Sequence, residues 1–211
     1  MPTKSKKTRY KHLLVVRLSA LGDVAMLPHA LRALRAAYPE LKITVATQAM
    51  FKPFFRGLNV DFLEVQVKKE HHSVAGIWRL AREARKRGVD AVADVHDVLR
   101  SLVFDLSMTL HGIRSARIRK QHPLKEKGDS EPLKHSVVRY CDTLRRLGFE
   151  FDDPQPATKP VMENPLGEKK GLWIGFAPFS AHAGKTYPEA QSRALVKLLS
   201  ERYDRGLIHG G

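Results

Sequence analysis

The chain has 211 residues, 43% of them hydrophobic, which suffices for a packed core in one large or two small domains and excludes wholesale disorder. Its formal charge of +15 points to an anionic partner: nucleic acid, an acidic membrane surface or a phosphorylated substrate. The single cysteine, Cys141, excludes an internal disulfide and a cysteine-based zinc cluster, and reads as helix packing.

Residues 1–11 form a polar, basic arm. Leu13 to Val16 is a short apolar run that reads as a strand rather than a secretory signal, and no segment approaches the roughly 20 apolar residues that span a bilayer. A loop, Ser19-Ala20-Leu21-Gly22-Asp23, follows, and then apolar residues at 24, 27, 31 and 34, which is helical spacing. Pro28 has no normal place inside a helix, so this helix is expected either to begin near Leu27 or to bend at the proline. Ile43 to Thr47 and Phe62 to Val67 read as strands, with a short helix at Phe51 to Phe55 between them. A basic amphipathic helix, Ile77 to Arg87, is closed by Gly88. Val89 to Val95 is the next strand, Leu99 to Leu110 a helix, and Ser115 to Arg119 a short extended segment.

Lys120 to Lys134 has the composition of an exposed loop. Ser136 to Leu147 reads as a helix stopped by Gly148, and Phe149 to Lys170, with four prolines, has linker composition. A new unit begins after it: strand Leu172 to Ala177, loop Pro178 to Thr186, helix Pro188 to Tyr203, strand Gly206 to His209. Strands alternating with helices predict parallel sheets. The expected organisation is therefore the basic arm 1–11, a Rossmann-like domain at 12–152, a proline-rich linker at 153–170 and a partial second α/β domain at 171–211.

Two loops can carry chemistry. Strand, tight loop and helix at the start of an α/β domain place that loop where ligands bind. Asp23 is the first acidic residue in the chain, after Lys4, Lys6, Lys7, Arg9, Lys11 and Arg17. It reads as a general base at the mouth of a basic cleft or as the cap of its helix. The loop Pro178 to Thr186 joins hydroxyls, small residues and Lys185 to a helix start at Pro188, a reasonable phosphate cradle. Lys185 also fits a solvated surface lysine. His71-His72 reads as exposed loop without metal-ligand partners, Trp78 and Trp173 as packing, and His96 beside Asp97 as a catalytic pair or a strand-end contact residue.

The segment Arg17-Leu18-Ser19-Ala20-Leu21-Gly22-Asp23 resembles the R-x-S-x-x-G-D opening of glycosyltransferase family 9, the lipopolysaccharide heptosyltransferases. The Pro178 to Thr186 loop resembles that family's donor loop, and Asp94 to Ser101 its D-x-Q-G-x-x-K-S segment, with His96 and Asp97 in place of Gln-Gly. The resemblance implies a GT-B fold of two Rossmann-like domains and inverting transfer of a sugar from an ADP-heptose-like donor to an acidic, lipopolysaccharide-core-type acceptor. Asp23 is implied as the catalytic base, and Ser180, Lys185 and Thr186 as donor-diphosphate ligands. Acceptor contacts are assigned to Arg17, Ser19, His96, Arg100, Arg117 and Arg119, the arginines because they stand at or near predicted strand ends. No cofactor or metal is implied, and the expected location is cytoplasmic, with peripheral attachment to the inner membrane left open.

Two other readings stand beside this one: a basic nucleic-acid-binding α/β protein, for which no RRM, KH, zinc-finger or helix-turn-helix signature is present, and a non-catalytic sugar- or phosphate-binding remnant. The chain stops at the second strand of the second domain, so the expectation is a truncated form without useful transferase activity. Leu172, Ile174, Phe176, Leu207 and Ile208 are then expected to show strand faces lacking their usual neighbours.

Overall fold

Strand β1 (His12–Val16) is buried along its whole length, as an apolar run in the middle of a parallel sheet should be. It pairs in parallel with β2 (Lys42–Thr47) on one side and β4 (Ala91–Asp94) on the other. Strand β3 (Asp61–Glu64) adds beyond β2 and β5 (Arg114–Arg117) beyond β4, so the sheet order is β3-β2-β1-β4-β5. The computed structural model describes residues 6–66, 70–71, 73–96, 98–119, 134–154, 167–180 and 183–208. It divides into two compact units, Met1–Thr158 and Lys159–Gly211.

Alternate residues of β1 feed two cores. Leu13 and Val15 face one formed with α1 (Leu21–Ala37), the 3₁₀ helix Ala49–Phe55 and α4 (Ser136–Arg146). Leu14 and Val16 face a second, closed by α2 (Val74–Lys86) and α3 (Leu99–Thr109). Helices on both faces of a parallel sheet make this a doubly wound α/β unit, and the strand order reverses at β1. In open α/β sheets such a reversal leaves a ligand crevice outside the carboxyl ends of the flanking strands, here β1 and β4.

Several expectations are corrected. Helix α1 starts at Leu21 and continues through Pro28, because Val24, Leu27, Ala30 and Leu31 are buried on either side of the proline and hold the helix across the missing hydrogen bond. Phe149 and Phe151 are buried against the first core rather than forming linker, with Phe149 packed edge-on against Tyr38 at 5.3 Å. His71 is buried and its Nδ1 accepts from the Gln66 N–H at 3.0 Å, while His72 lies outside the described residues. Trp78 is 38% exposed, on the outer side of α2. Pro188 caps α5 instead of occupying its first position. Cys141 is buried in the core, and burial pushes its thiol up to about 11, so it is inert packing.

The second unit contains β6 (Trp173–Phe176), a 3₁₀ turn at Ala183–Lys185, α5 (Glu189–Ser200) and β7 (Arg205–Ile208). The two strands pair in parallel, which is one βαβ crossover. No residue of β6 is fully buried. Trp173 is half-covered by the Arg205 guanidinium, 4.6 Å from its ring centre. Among the described residues, no helix is long and apolar enough to cross a membrane.

Candidate functional site

The loop from β1 to α1 is held from both sides. The Arg17 N–H donates to the Ala46 carbonyl at 3.0 Å, extending the pairing with β2 past the strand. The Arg17 side chain is 10% exposed; its guanidinium donates to the Val95 carbonyl at the end of β4 and, through its other terminal nitrogen, pairs with the Asp23 carboxylate. One arginine thus ties together the β1 and β4 ends and the start of α1.

Asp23 is the third residue of α1, and the cap position is Ala20, which has no side chain able to cap. Its carboxylate is therefore not the helix cap; it remains 39% exposed on the rim of the crevice, oriented by Arg17. The Asp23 carbonyl accepts from the Tyr140 hydroxyl at 3.2 Å, and the Arg17 guanidinium stacks over the Tyr140 ring at 5.8 Å. Burial pushes the Tyr140 hydroxyl up from its ordinary value, which keeps it a donor. Gly22 stands beside Asp23 without a positive φ, and a Cβ built there meets nothing within 4 Å. The backbone does not need glycine at this position, and the space in front of it is open.

Ser19 is half-buried in the same loop, and His96 is half-buried just past β4. The His96 N–H donates to Asp94 Oδ1 at 2.9 Å. Asp94 is fully buried, and its second oxygen accepts from the Ser101 hydroxyl at 2.6 Å and from Arg117 Nε at 3.3 Å. Ser101 also receives the Val98 N–H at 3.1 Å, so this carboxylate and hydroxyl set the turn between β4 and α3. Arg117 Nε thus points inward, to Asp94 and to Asp105, 3.2 Å away. Arg119 is exposed beyond β5, and its carbonyl accepts from Arg139 at 3.3 Å. Arg100 lies in the first turn of α3, and its side chain, like Asp97, lies outside the described residues.

The first unit therefore brings Arg17, Ser19, Asp23 and His96 to the carboxyl ends of adjacent strands β1 and β4, with Arg117 and Arg119 at β5 next to them. Sequence reasoning missed Asp94, Ser101, Asp105 and Tyr140 as the supports of this arrangement. Asp105 left a legible signal: it is an acid on the same helical stripe as the buried Ser101, Phe104 and Met108.

In the second unit, Thr186 Oγ1 spans the turn, accepting from the Ser180 N–H at 3.2 Å and donating to the Ser180 carbonyl at 3.2 Å. Thr186 is thereby a brace for the loop. Lys185 is exposed at the end of the 3₁₀ turn, three residues before the Pro188 cap of α5. Beside this loop a cavity of about 690 Å³ is lined by Phe176, Pro178, Phe179, Ser192 and Val196 among others. Among the described residues, no group of three or more His, Cys, Asp or Glu side chains could hold a metal ion.

No family model and no curated protein matches the chain. Solved structures do. The glycosyl transferase family 9 structure from Veillonella parvula superposes with a TM-score of 0.63 at 18% identity, over 99% of this chain and 72% of that one. The E. coli heptosyltransferase WaaC with ADP-2-deoxy-2-fluoro heptose gives 0.64 at 20% identity, over 95% and 69%. The E. coli ADP-heptose lps heptosyltransferase II gives 0.62 at 18%, over 93% and 63%. The chain shares the α/β fold of these glycosyltransferases along nearly its whole length.

Proposed function

We propose that the protein is an inverting glycosyltransferase of the heptosyltransferase type, using an ADP-sugar donor and an acidic, lipopolysaccharide-core-type acceptor at the cytoplasmic side of a membrane. The observation that carries this reading is the Arg17–Asp23 pair: a half-exposed carboxylate, free of capping duty, held at the carboxyl ends of β1 and β4 in a fold shared with heptosyltransferases. In the reaction, an acceptor hydroxyl attacks the anomeric carbon of the donor and Asp23 takes its proton. The new glycosidic C–O bond forms as the bond from the anomeric carbon to the diphosphate oxygen breaks, and ADP departs with the electron pair.

Arg17 supplies orientation, fixing the carboxylate while anchoring itself on the Val95 carbonyl. Gly22 leaves room for the acceptor to approach the base. Ser180 and Lys185, on the loop braced by Thr186, supply donors and positive charge for the diphosphate. Arg119, exposed beyond β5, contributes positive potential beside the crevice, which favours a phosphorylated acceptor, while Arg117 is held inward by Asp94.

The test is sugar transfer from ADP-heptose to a phosphorylated glycolipid acceptor, run beside binding of ADP-heptose and of single-stranded DNA at matched ionic strength. Transfer, with the phosphorylated acceptor preferred over its dephosphorylated form at every salt concentration, supports the reading. DNA binding tighter than that of either substrate, with no transfer, overturns it.

A further inference from the structure

The Arg17 guanidinium is anchored at its tip and not at its stem. Its terminal nitrogens reach the Val95 carbonyl and the Asp23 carboxylate, but its Nε, although buried, has no hydrogen-bond partner among the described residues. A planar group held only by its outer nitrogens can tilt unless something backs the plane. The Tyr140 ring does so, with its centre 5.8 Å from the guanidinium carbon.

The same side chain also holds the base. Its hydroxyl donates to the Asp23 carbonyl at 3.2 Å, across 117 residues of sequence. That bond goes to the main chain and not to the carboxylate. Asp23 Oδ2 pairs with Arg17, and Oδ1 meets no donor among the described residues, so one oxygen of a half-exposed carboxylate is left to take a proton. A hydroxyl donated to Oδ1 would occupy that lone pair; donated to the carbonyl, it fixes the residue and leaves the base open. Burial raises the Tyr140 pKa above its ordinary value, so the hydroxyl stays a donor through the neutral range.

Tyr140 is itself immobilised, buried in the first core on α4 beside Cys141 and one turn from Leu144. A phenylalanine would fill the same volume, so packing alone does not account for the hydroxyl. The result is a closed triangle of three elements: Arg17 to the Asp23 carboxylate, the Asp23 carbonyl to the Tyr140 hydroxyl, and the Tyr140 ring to Arg17. We propose that Tyr140 is a positioning residue for sugar transfer, holding the Asp23 carboxylate toward the acceptor hydroxyl through Arg17 and the Asp23 main chain, without itself touching substrate. This role rests on the proposed function of Asp23 as general base. Because Tyr140 acts on the base and not on a substrate, its loss should appear in the chemical step and not in binding.

The experiment is a double-mutant cycle of Tyr140→Phe and Asp23→Asn in a transfer-competent form of the enzyme, with kcat, KM and Tm measured for each protein. Tyr140→Phe should lower kcat about tenfold and leave KM for donor and acceptor within about twofold. Tyr140→Leu, which removes the ring as well, should lower kcat by about 10². With Asp23→Asn already present, Tyr140→Phe should change the residual rate by less than about twofold, because no base remains to be positioned. A general packing defect would instead act equally in both backgrounds. In the 211-residue chain, NMR of the Arg17 Nε–H should show an upfield ring-current shift that Tyr140→Phe keeps and Tyr140→Leu abolishes. Parental kcat in Tyr140→Phe, an equal loss in both backgrounds, a loss confined to KM, or an Arg17 resonance unmoved by Tyr140→Leu each overturns the proposal. A parent that transfers no sugar overturns the transferase reading and this role with it, whereas a parent that transfers beside an unaffected Tyr140→Phe overturns this role alone.

Discussion

Asp94 and Asp105 approach the same guanidinium nitrogen. Arg117 Nε lies 3.3 Å from one carboxylate and 3.2 Å from the other, between a strand end and the helix that follows it. The two acids are not equivalent. Asp94 accepts from Ser101, from the His96 N–H and from Arg117, whereas Asp105 accepts from Ser115 at 2.9 Å through one oxygen and turns the other toward Arg117 Nε. Burial, reinforced by the nearby Asp94 charge, pushes the Asp105 carboxyl up to about 8. It is therefore carried as the neutral acid through the acidic and neutral range.

The sign of its pH effect follows. The folded chain holds the Asp105 proton up to about pH 8, whereas the unfolded chain releases it near the ordinary carboxylate value of 3.8. Its contribution to stability is thus complete below that value and declines as pH rises toward 8. Asp105→Asn keeps a neutral side chain that still accepts from Ser115. Its Tm relative to the parent should rise from pH 5 to pH 8, and a Tm difference independent of pH contradicts the assignment.

His12 produces the opposite slope. Its Nδ1 lies 3.0 Å from the Arg87 carbonyl, which can only accept, so Nδ1 carries the proton and Nε2 accepts from the Thr44 hydroxyl at 2.8 Å. Burial holds its pKa below 6.5. The unfolded chain then binds the proton first on acidification, and the stability contributed by His12 is present above pH 6.5 and is lost below it. NMR titration should find this imidazole neutral below the usual histidine range; a midpoint at or above 6.5 contradicts the burial argument.

Asp23→Asn preserves an oxygen that accepts from Arg17, so the loop should keep its shape. In a transfer-competent form of the enzyme, transfer should fall by about 10²–10⁴, the usual effect of removing a general base, with Tm nearly unchanged. Turnover at the parent rate would reduce Asp23 to a structural partner of Arg17.

Two glycines should respond in opposite ways. A Cβ at Gly76 would stand 2.0 Å from the Glu70 carbonyl oxygen, so Gly76→Ala forces the 70–71 segment off α2 and should cost about 1–3 kcal/mol by thermal or urea unfolding. Gly22 has open space and lies in the first turn of α1, so Gly22→Ala should stabilise by up to about 1 kcal/mol while weakening acceptor binding. Equal effects on stability would remove the contrast on which the open crevice is argued.

The alternation of apolar runs and amphipathic segments determined the order of elements, and the parallel sheet follows from it. A buried central strand such as Leu13 to Val16 must be apolar throughout, and a helix covering it must repeat near every 3.6 residues. The position of Asp23 at the start of the helix that follows the first strand was legible for the same reason. The tertiary structure alone decided its partner, because the Arg17 guanidinium is oriented by the Val95 carbonyl, 78 residues away in sequence. It also decided that Pro28 lies inside a continuous helix, since burial on both sides outweighs one lost hydrogen bond. Likewise, the roles of Asp94, Asp105 and Arg117 depend on β4, α3 and β5 meeting, and no local pattern encodes a distance between three elements. Periodicity records which side chains leave water; which of them then meet is settled only when the strands take their places in the sheet.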